Sequence, residues 1–122
     1  MTHETIEPHG GTLVDLLVPQ EQAEQLRDEA ATLPQVVVNL RELSDLEMLA
    51  NGALSPLRGF QGEREYHSIL ETMHLTNGLP WTTPVTLSLS DSELAEVKGA
   101  DRLALHASPS HVRVRGATRY FT

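Results

Sequence analysis

Near Pro80 the apolar residues of this chain change their spacing, and that change limits the folds open to it. Before Pro80 three stretches repeat their apolar residues every three to four positions, the period of a helix face; just after it they alternate, the period of a half-buried strand. Residues 20–33 place Ala23, Leu26, Ala30 and Leu33 on one stripe and turn Glu21, Glu24, Arg27 and Asp28 outward, with Pro34 as the stop. Ser44-Asp45-Leu46-Glu47 has the form of a capping box and predicts a brief second helix, which Asn51-Gly52 ends with a left-handed exit. A third helix is predicted over about residues 63–75, its buried stripe made of Tyr66, Ile69, Leu70 and Met73 and its end marked by Asn77-Gly78.

Strand signals surround these helices. Residues 35–40 hold three consecutive valines and read as a buried strand, whereas the apolar residues 12–18 read as a buried strand or an irregular segment. Val85, Leu87 and Leu89 alternate with Thr86, Ser88 and Ser90. A turn at residues 98–101 precedes a short strand at 102–105, and Val112 and Val114 alternate with Arg113 and Arg115. Short strands mixed with three helices predict an α+β domain, a small β-barrel or open sheet with flanking helices.

At 122 residues the chain has room for one domain with a real core. It has no cysteine, so disulfides, thiolate metal sites and a cysteine nucleophile are excluded. No apolar run reaches membrane-spanning length and the first residues lack the pattern of a signal peptide, so a soluble, cytoplasmic protein without a membrane partner is expected. Seventeen acidic residues against nine basic ones give a net charge of −8, which disfavours nucleic acid as a partner. The sign is uneven: all seventeen acids precede residue 102, and the remaining stretch carries four arginines, Arg102, Arg113, Arg115 and Arg119.

Chemistry-bearing motifs are sparse. Neither G-x-x-x-x-G-K-[ST] nor G-x-G-x-x-G occurs, and no serine sits in G-x-S-x-G. Gly10-Gly11 forms either a structural turn or a small anion site. His67 and His74 lie seven apart, roughly 10 Å along a helix, beyond the span of one shared ion, so no metal site is expected. The carboxylate pairs Asp45/Glu47 and Glu63/Glu65 read as helix-start charges. Arg58 is the one cation on a rigid turn and is a weak anion candidate; Trp81 is a core anchor or a stacking platform. From the residues alone, no catalytic residue can be assigned.

Four stretches taken together resemble the N-terminal domain of the ATP sulfurylase (sulfate adenylyltransferase) family. They are PHGGTLVDLLVP at 8–19, RDEAATLPQVVVNLRELSDLEMLANGALSPLRGF at 27–60, YHSILETMHLTNGLPWTTPVTLSL at 66–89 and KGADRLAL at 98–105. Their order and spacing span about four fifths of the chain. The motif positions are Pro8, His9, Gly10 and Gly11; Asp45, Leu46, Glu47 and Gly52; Ser55, Pro56, Gly59 and Phe60; and Gly78, Pro80 and Trp81. Gln61 departs from the methionine the family often has there.

The resemblance implies a PUA-like fold over residues 1–105, part of an enzyme that joins sulfate to the α-phosphate of ATP and releases pyrophosphate. In that family the catalytic residues lie in a following domain, in a Q-x-R-N-x-x-H-x-x-H motif that this chain lacks. The implied role is therefore non-catalytic: no cofactor on this domain, ATP with magnesium on the parent enzyme, the catalytic domain as partner, and a homo-oligomer as a compatible assembly. The alternative is a stand-alone PUA-like module that binds RNA or protein. Residues 106–122 form a divergent basic tail. It reads either as the product of a frameshift or truncation, or as a native last strand.

Overall fold

The computed structural model of the chain describes residues 5–107. A single 3-10 turn at His9–Gly11 precedes the first helix, α1 (Gln20–Ala30), which buries Ala30, half-buries Ala23 and Leu26, and leaves most of its charged residues in solvent, as the stripe predicts. Pro34 then leads into β1 (Gln35–Val38), whose inward residues are Val36 and Val38.

The second helix, α2 (Leu40–Asn51), starts earlier than the Ser44 capping box predicts. Asn39 and Glu42 form a capping box of the same pattern five residues upstream: the Glu42 amide donates to Asn39 Oδ1 (2.8 Å) and the Asn39 amide donates to Glu42 Oε1 (3.0 Å). Ser44 is therefore an exposed interior position, and Asp45 and Glu47 are mid-helix rather than first-turn charges. The predicted exit holds, with Gly52 left-handed at φ 89°.

Helix α3 (Glu63–Thr72) follows the turn at residues 55–60, and its first turn carries Glu63 and Glu65, the sign its dipole favours. It stops at Met73, itself left-handed at φ 56°, so Asn77-Gly78 belongs to the next turn. Of its expected buried stripe only Ile69 is buried; Tyr66, Leu70 and Met73 are exposed. The period established an apolar face, but among the described residues nothing covers most of it.

Residues 84–89 show the predicted alternation in burial, Val85 inward and Ser88 outward, yet form no regular strand. Side chains hold the segment instead. Gln61 and Val85 exchange two bonds, the Gln61 amide donating to the Val85 carbonyl and the Val85 amide to Gln61 Oε1 (both 2.8 Å). The Ser88 amide donates to Glu42 Oε2 (2.8 Å). A fourth helix absent from the sequence reading, α4 (Asp91–Val97), opens on a Ser90–Glu93 capping box.

The last element, β2 (Ala104–Ala107), lies parallel to β1 in a two-stranded sheet, with Val36 opposite Leu105 and Val38 opposite Ala107. The α+β expectation holds in this coarser form. No closed barrel forms among the described residues: residues 12–18 and 84–89 are attached by isolated hydrogen bonds rather than continuous ladders. Residues 12–18 take the irregular alternative, with Val14 buried and Leu13, Leu17 and Val18 exposed. The alternation at 112–115 lies outside the described residues.

Two apolar clusters make the core. Val36, Val38, Leu46, Val97 and Leu105 form one; Leu49, Leu57, Ile69, Leu75 and Val85 form the other. Leu46 and Leu49 are three residues apart on α2, so one helix feeds both, and Phe60 packs against both from the side.

Two substitutions test this frame. A Cβ on Gly52 would lie 2.8 Å from both Leu13 Cδ1 and the Val14 carbonyl oxygen, on a backbone already at φ +89°. Gly52→Ala is expected to cost about 2–3 kcal/mol in urea unfolding, against about 1 kcal/mol for Gly78→Ala, which has positive φ but open space. Glu42 is 3% exposed and accepts two amide hydrogens on two oxygens, whereas an amide side chain has one acceptor oxygen. Glu42→Gln is therefore expected to lose about 1–3 kcal/mol by the same measurement.

Candidate functional site

Three turns far apart in sequence meet at one end of α2. The first is the Pro8–Gly11 turn, where Gly10 and Gly11 both have positive φ and the Gly11 amide donates to the Pro8 carbonyl (2.8 Å). A Cβ on Gly10 would lie 3.1 Å from Leu79 Cδ2 and 3.2 Å from Pro56 Cγ, so this turn is pressed between the other two. Of the two readings of Gly10-Gly11, this geometry supports the packed turn: the Gly11 amide is already engaged.

The second turn contains Ser55-Pro56, joined by a cis peptide bond. The buried Ser55 hydroxyl donates to the Gly52 carbonyl (2.7 Å) and accepts from the Val14 amide (2.8 Å), tying the helix exit to the incoming segment. Phe60, at the end of this turn, packs against both apolar clusters. Gly59 is half-buried beside it.

The third turn runs from His74 to Trp81. His74 and Pro80 form an antiparallel bridge, the Leu75 amide donates to the Leu79 carbonyl (2.8 Å), and Gly78 supplies a left-handed residue at φ 88°. The Trp81 amide donates to the Met73 carbonyl (2.9 Å), and its indole Nε1 donates to the Thr83 carbonyl (2.8 Å). The first bond fixes the backbone and the second the ring plane, and Trp81 is half-buried.

His9 closes the arrangement. Its Nε2 lies 2.7 Å from the Pro80 carbonyl oxygen, and its ring is centred 5.9 Å from that of Trp81 at 45°. A carbonyl only accepts, so Nε2 carries the hydrogen and donates it.

Between these turns and α2 lies a cleft of about 530 Å³. Met48, Leu54 and Val85 give it an apolar floor, and Pro80, Trp81 and Pro84 give it rigid walls. Its polar rim includes His9 and an ion pair, Arg41 Nη1 to Asp45 Oδ2 at 2.9 Å, while Arg41 Nη2 also donates to the Thr86 carbonyl (3.2 Å). The cleft is thus walled by apolar side chains, and the charges at its edge are already partnered. It is suited to receiving an apolar body.

Arg58 lies elsewhere. It is exposed in a shallow depression of about 340 Å³ with Glu65, Thr76 and Asn77, and it does not line the cleft. Glu65 there accepts from the Thr76 amide and hydroxyl. His67 pairs with Glu63 at 3.6 Å, and His74, beyond the end of α3, turns its Nδ1 to the Thr72 carbonyl. Among the described residues no group of three His, Asp or Glu is placed to hold a metal ion. No described helix is long and apolar enough to cross a membrane.

The sequence reading placed His9, Asp45, Pro80 and Trp81 in its motif set, and the structure brings these together. It missed Arg41, Met48, Thr82 and Thr83. The i, i+4 spacing of Arg41 and Asp45 on one helix was the available signal for the ion pair.

Comparison with known proteins agrees with this framework. The family model of the PUA-like domain matches residues 6–114. The sulfate adenylyltransferase of Synechococcus sp. (strain JA-3-3Ab) is 49% identical over 102 residues, covering 84% of this chain and 26% of that protein. That of Desulforamulus reducens is 41% identical over 100 residues, covering 82% and 26%. A solved structure described as a hexameric APS kinase from Thiobacillus denitrificans superposes with a TM-score of 0.76 at 37% identity, covering 93% of this chain and 22% of that one. The chain thus spans about a quarter of the length of these sulfate adenylyltransferases. On the family-model match and these identities, the chain belongs to the PUA-like domain family, matching the part of that family found in the N-terminal region of sulfate adenylyltransferases.

Proposed function

We propose that this chain serves as the leading, non-catalytic domain of a cytoplasmic sulfate adenylyltransferase, an enzyme that transfers the adenylyl group of ATP to sulfate. The observation that carries this reading is 49% identity over 84% of the chain to an enzyme of that name. The convergence of the resembling motifs on one cluster of turns supports it, since those residues are engaged in packing rather than held free for chemistry.

Electrostatics argue for the non-catalytic part. ATP, sulfate, adenosine 5′-phosphosulfate and pyrophosphate are all anions, and transfer between them calls for positive groups around the phosphates. Residues 5–107 hold sixteen carboxylates against six lysines and arginines. Such a body raises the energy of a polyphosphate nearby. In this reading ATP and its magnesium bind on the remaining three quarters of the enzyme, and this domain holds that body in place. Self-assembly of the whole enzyme is part of the same reading, supported by the hexamer named for the solved relative.

A chimaera tests it. Residues 5–107 replace the matching quarter of the Synechococcus enzyme, and ATP formation from adenosine 5′-phosphosulfate and pyrophosphate is measured. The chimaera is expected within about tenfold of its parent in kcat/KM, a difference of ~1.4 kcal/mol, while the 122-residue chain alone gives no ATP above blank. A folded but inactive chimaera, or turnover by the chain alone, would overturn the reading.

A further inference from the structure

Exposed large apolar side chains of this domain include Leu13, Leu17 and Val18 on one segment and Tyr66, Leu70 and Met73 on the α3 face; the cleft beside Trp81 is a further apolar surface, lined mainly by half-buried and buried side chains. The first two lie along a single element each. The cleft is concave, is assembled from three separate turns and a helix, and has its walls fixed by the His9–Pro80 and Trp81–Thr83 hydrogen bonds. A rigid tryptophan-lined pocket of this kind is the usual form of an anchor site in a protein interface.

We propose that this cleft seats an apolar side chain, flanked by basic residues, from the remaining three quarters of the parent enzyme, and so forms the joint between the domains. The inference rests on the proposed function. Two observations select this occupant. The relatives continue for about three times the length this chain covers, so a large polypeptide body is available to fill the cleft. The charge excess of residues 5–107 complements a partner surface built to hold polyphosphate, which must be basic. Inside the cleft Asp45 is already paired with Arg41, so an apolar plug leaves no ion stranded, whereas a charged ligand would have to compete with that pair. The basic residues then sit outside the cleft, whose lining has Asp45 as its one carboxylate.

Thr82 is the position from which to test this. It is exposed at the open side of the cleft, and its side chain makes no hydrogen bond in the structure. Hydrogen exchange followed by mass spectrometry compares the 122-residue chain with the chimaera described above. The segment 79–86 is expected to exchange about tenfold more slowly in the chimaera, through the otherwise free amides of Thr82 and Thr83. Thr82→Trp, which fills the cleft, and Thr82→Lys, which sets a like charge against the partner's basic residues, are each expected to abolish that extra protection; their melting temperatures in the 122-residue chain report folding independently. Leu70→Glu, on the α3 face, is expected to leave it unchanged.

An active chimaera whose segment 79–86 exchanges as fast as in the chain alone would overturn this inference and leave the proposed function standing. An inactive wild-type chimaera would remove both. Protection that appears in the chain alone as its concentration rises would assign the cleft to a second copy of the chain, and would also overturn the occupant named here.

Discussion

One carboxylate holds the two halves of this domain in register. Glu42 accepts the Asn39 amide on one oxygen and the Ser88 amide on the other, so the group that starts α2 also fixes the extended segment 84–89 against it. Both amides would otherwise lack a hydrogen-bond partner in the protein. Hydrogen bonds to an ionised group contribute about 1.5–3 kcal/mol each, a sizeable share of the 5–15 kcal/mol by which a domain is stable. The position of α2 along its axis follows from this anchor. Everything α2 displays follows in turn: Leu46 toward one cluster, Leu49 toward the other, and Arg41, Asp45 and Met48 toward the cleft.

A two-stranded sheet is too small to be stable alone, and here it contributes only part of one cluster. The helices provide the rest, with Phe60 filling the joint between the clusters. Where a larger sheet would use a ladder, this domain uses side chains as clasps: Gln61 for Val85, Glu42 for Ser88, Ser55 for Val14. Each clasp pairs one backbone amide with a side-chain oxygen buried or half-buried at the contact, which leaves neighbouring residues of the segment free to curve around the core.

The local features legible in the sequence were those decided locally. Pro34 closed the region of α1, Gly52 gave α2 its left-handed exit, and three valines gave a strand. The start of α2 was misread because Asn39–Glu42 and Ser44–Glu47 have the same capping pattern, and the choice between them depends on Ser88, more than forty residues away. The Ser90–Glu93 box that opens α4 has that pattern too and went unread beside the alternating run before it. On α3 the apolar period was real, but a period identifies a face without identifying what covers it, and Tyr66, Leu70 and Met73 remain exposed. The cleft was legible only in parts. Its i, i+4 ion pair lies within one helix, whereas the His9–Pro80 bond spans 71 residues.

The dense motifs at 8–11, 55–60 and 77–81 invite a catalytic reading, and the contacts argue otherwise. Gly10 is required where a side chain would strike Leu79 and Pro56, and Gly52 where it would strike Leu13 and the Val14 carbonyl. Ser55 has its hydroxyl engaged on both sides, and His9 is held at its Nε2. Residues fixed by such close approaches make a rigid surface, and rigidity favours docking because less conformational entropy is lost when a partner binds. A surface shaped for docking can therefore need a sequence as specific as an active site. What it must reproduce is the shape of the cleft that these turns define.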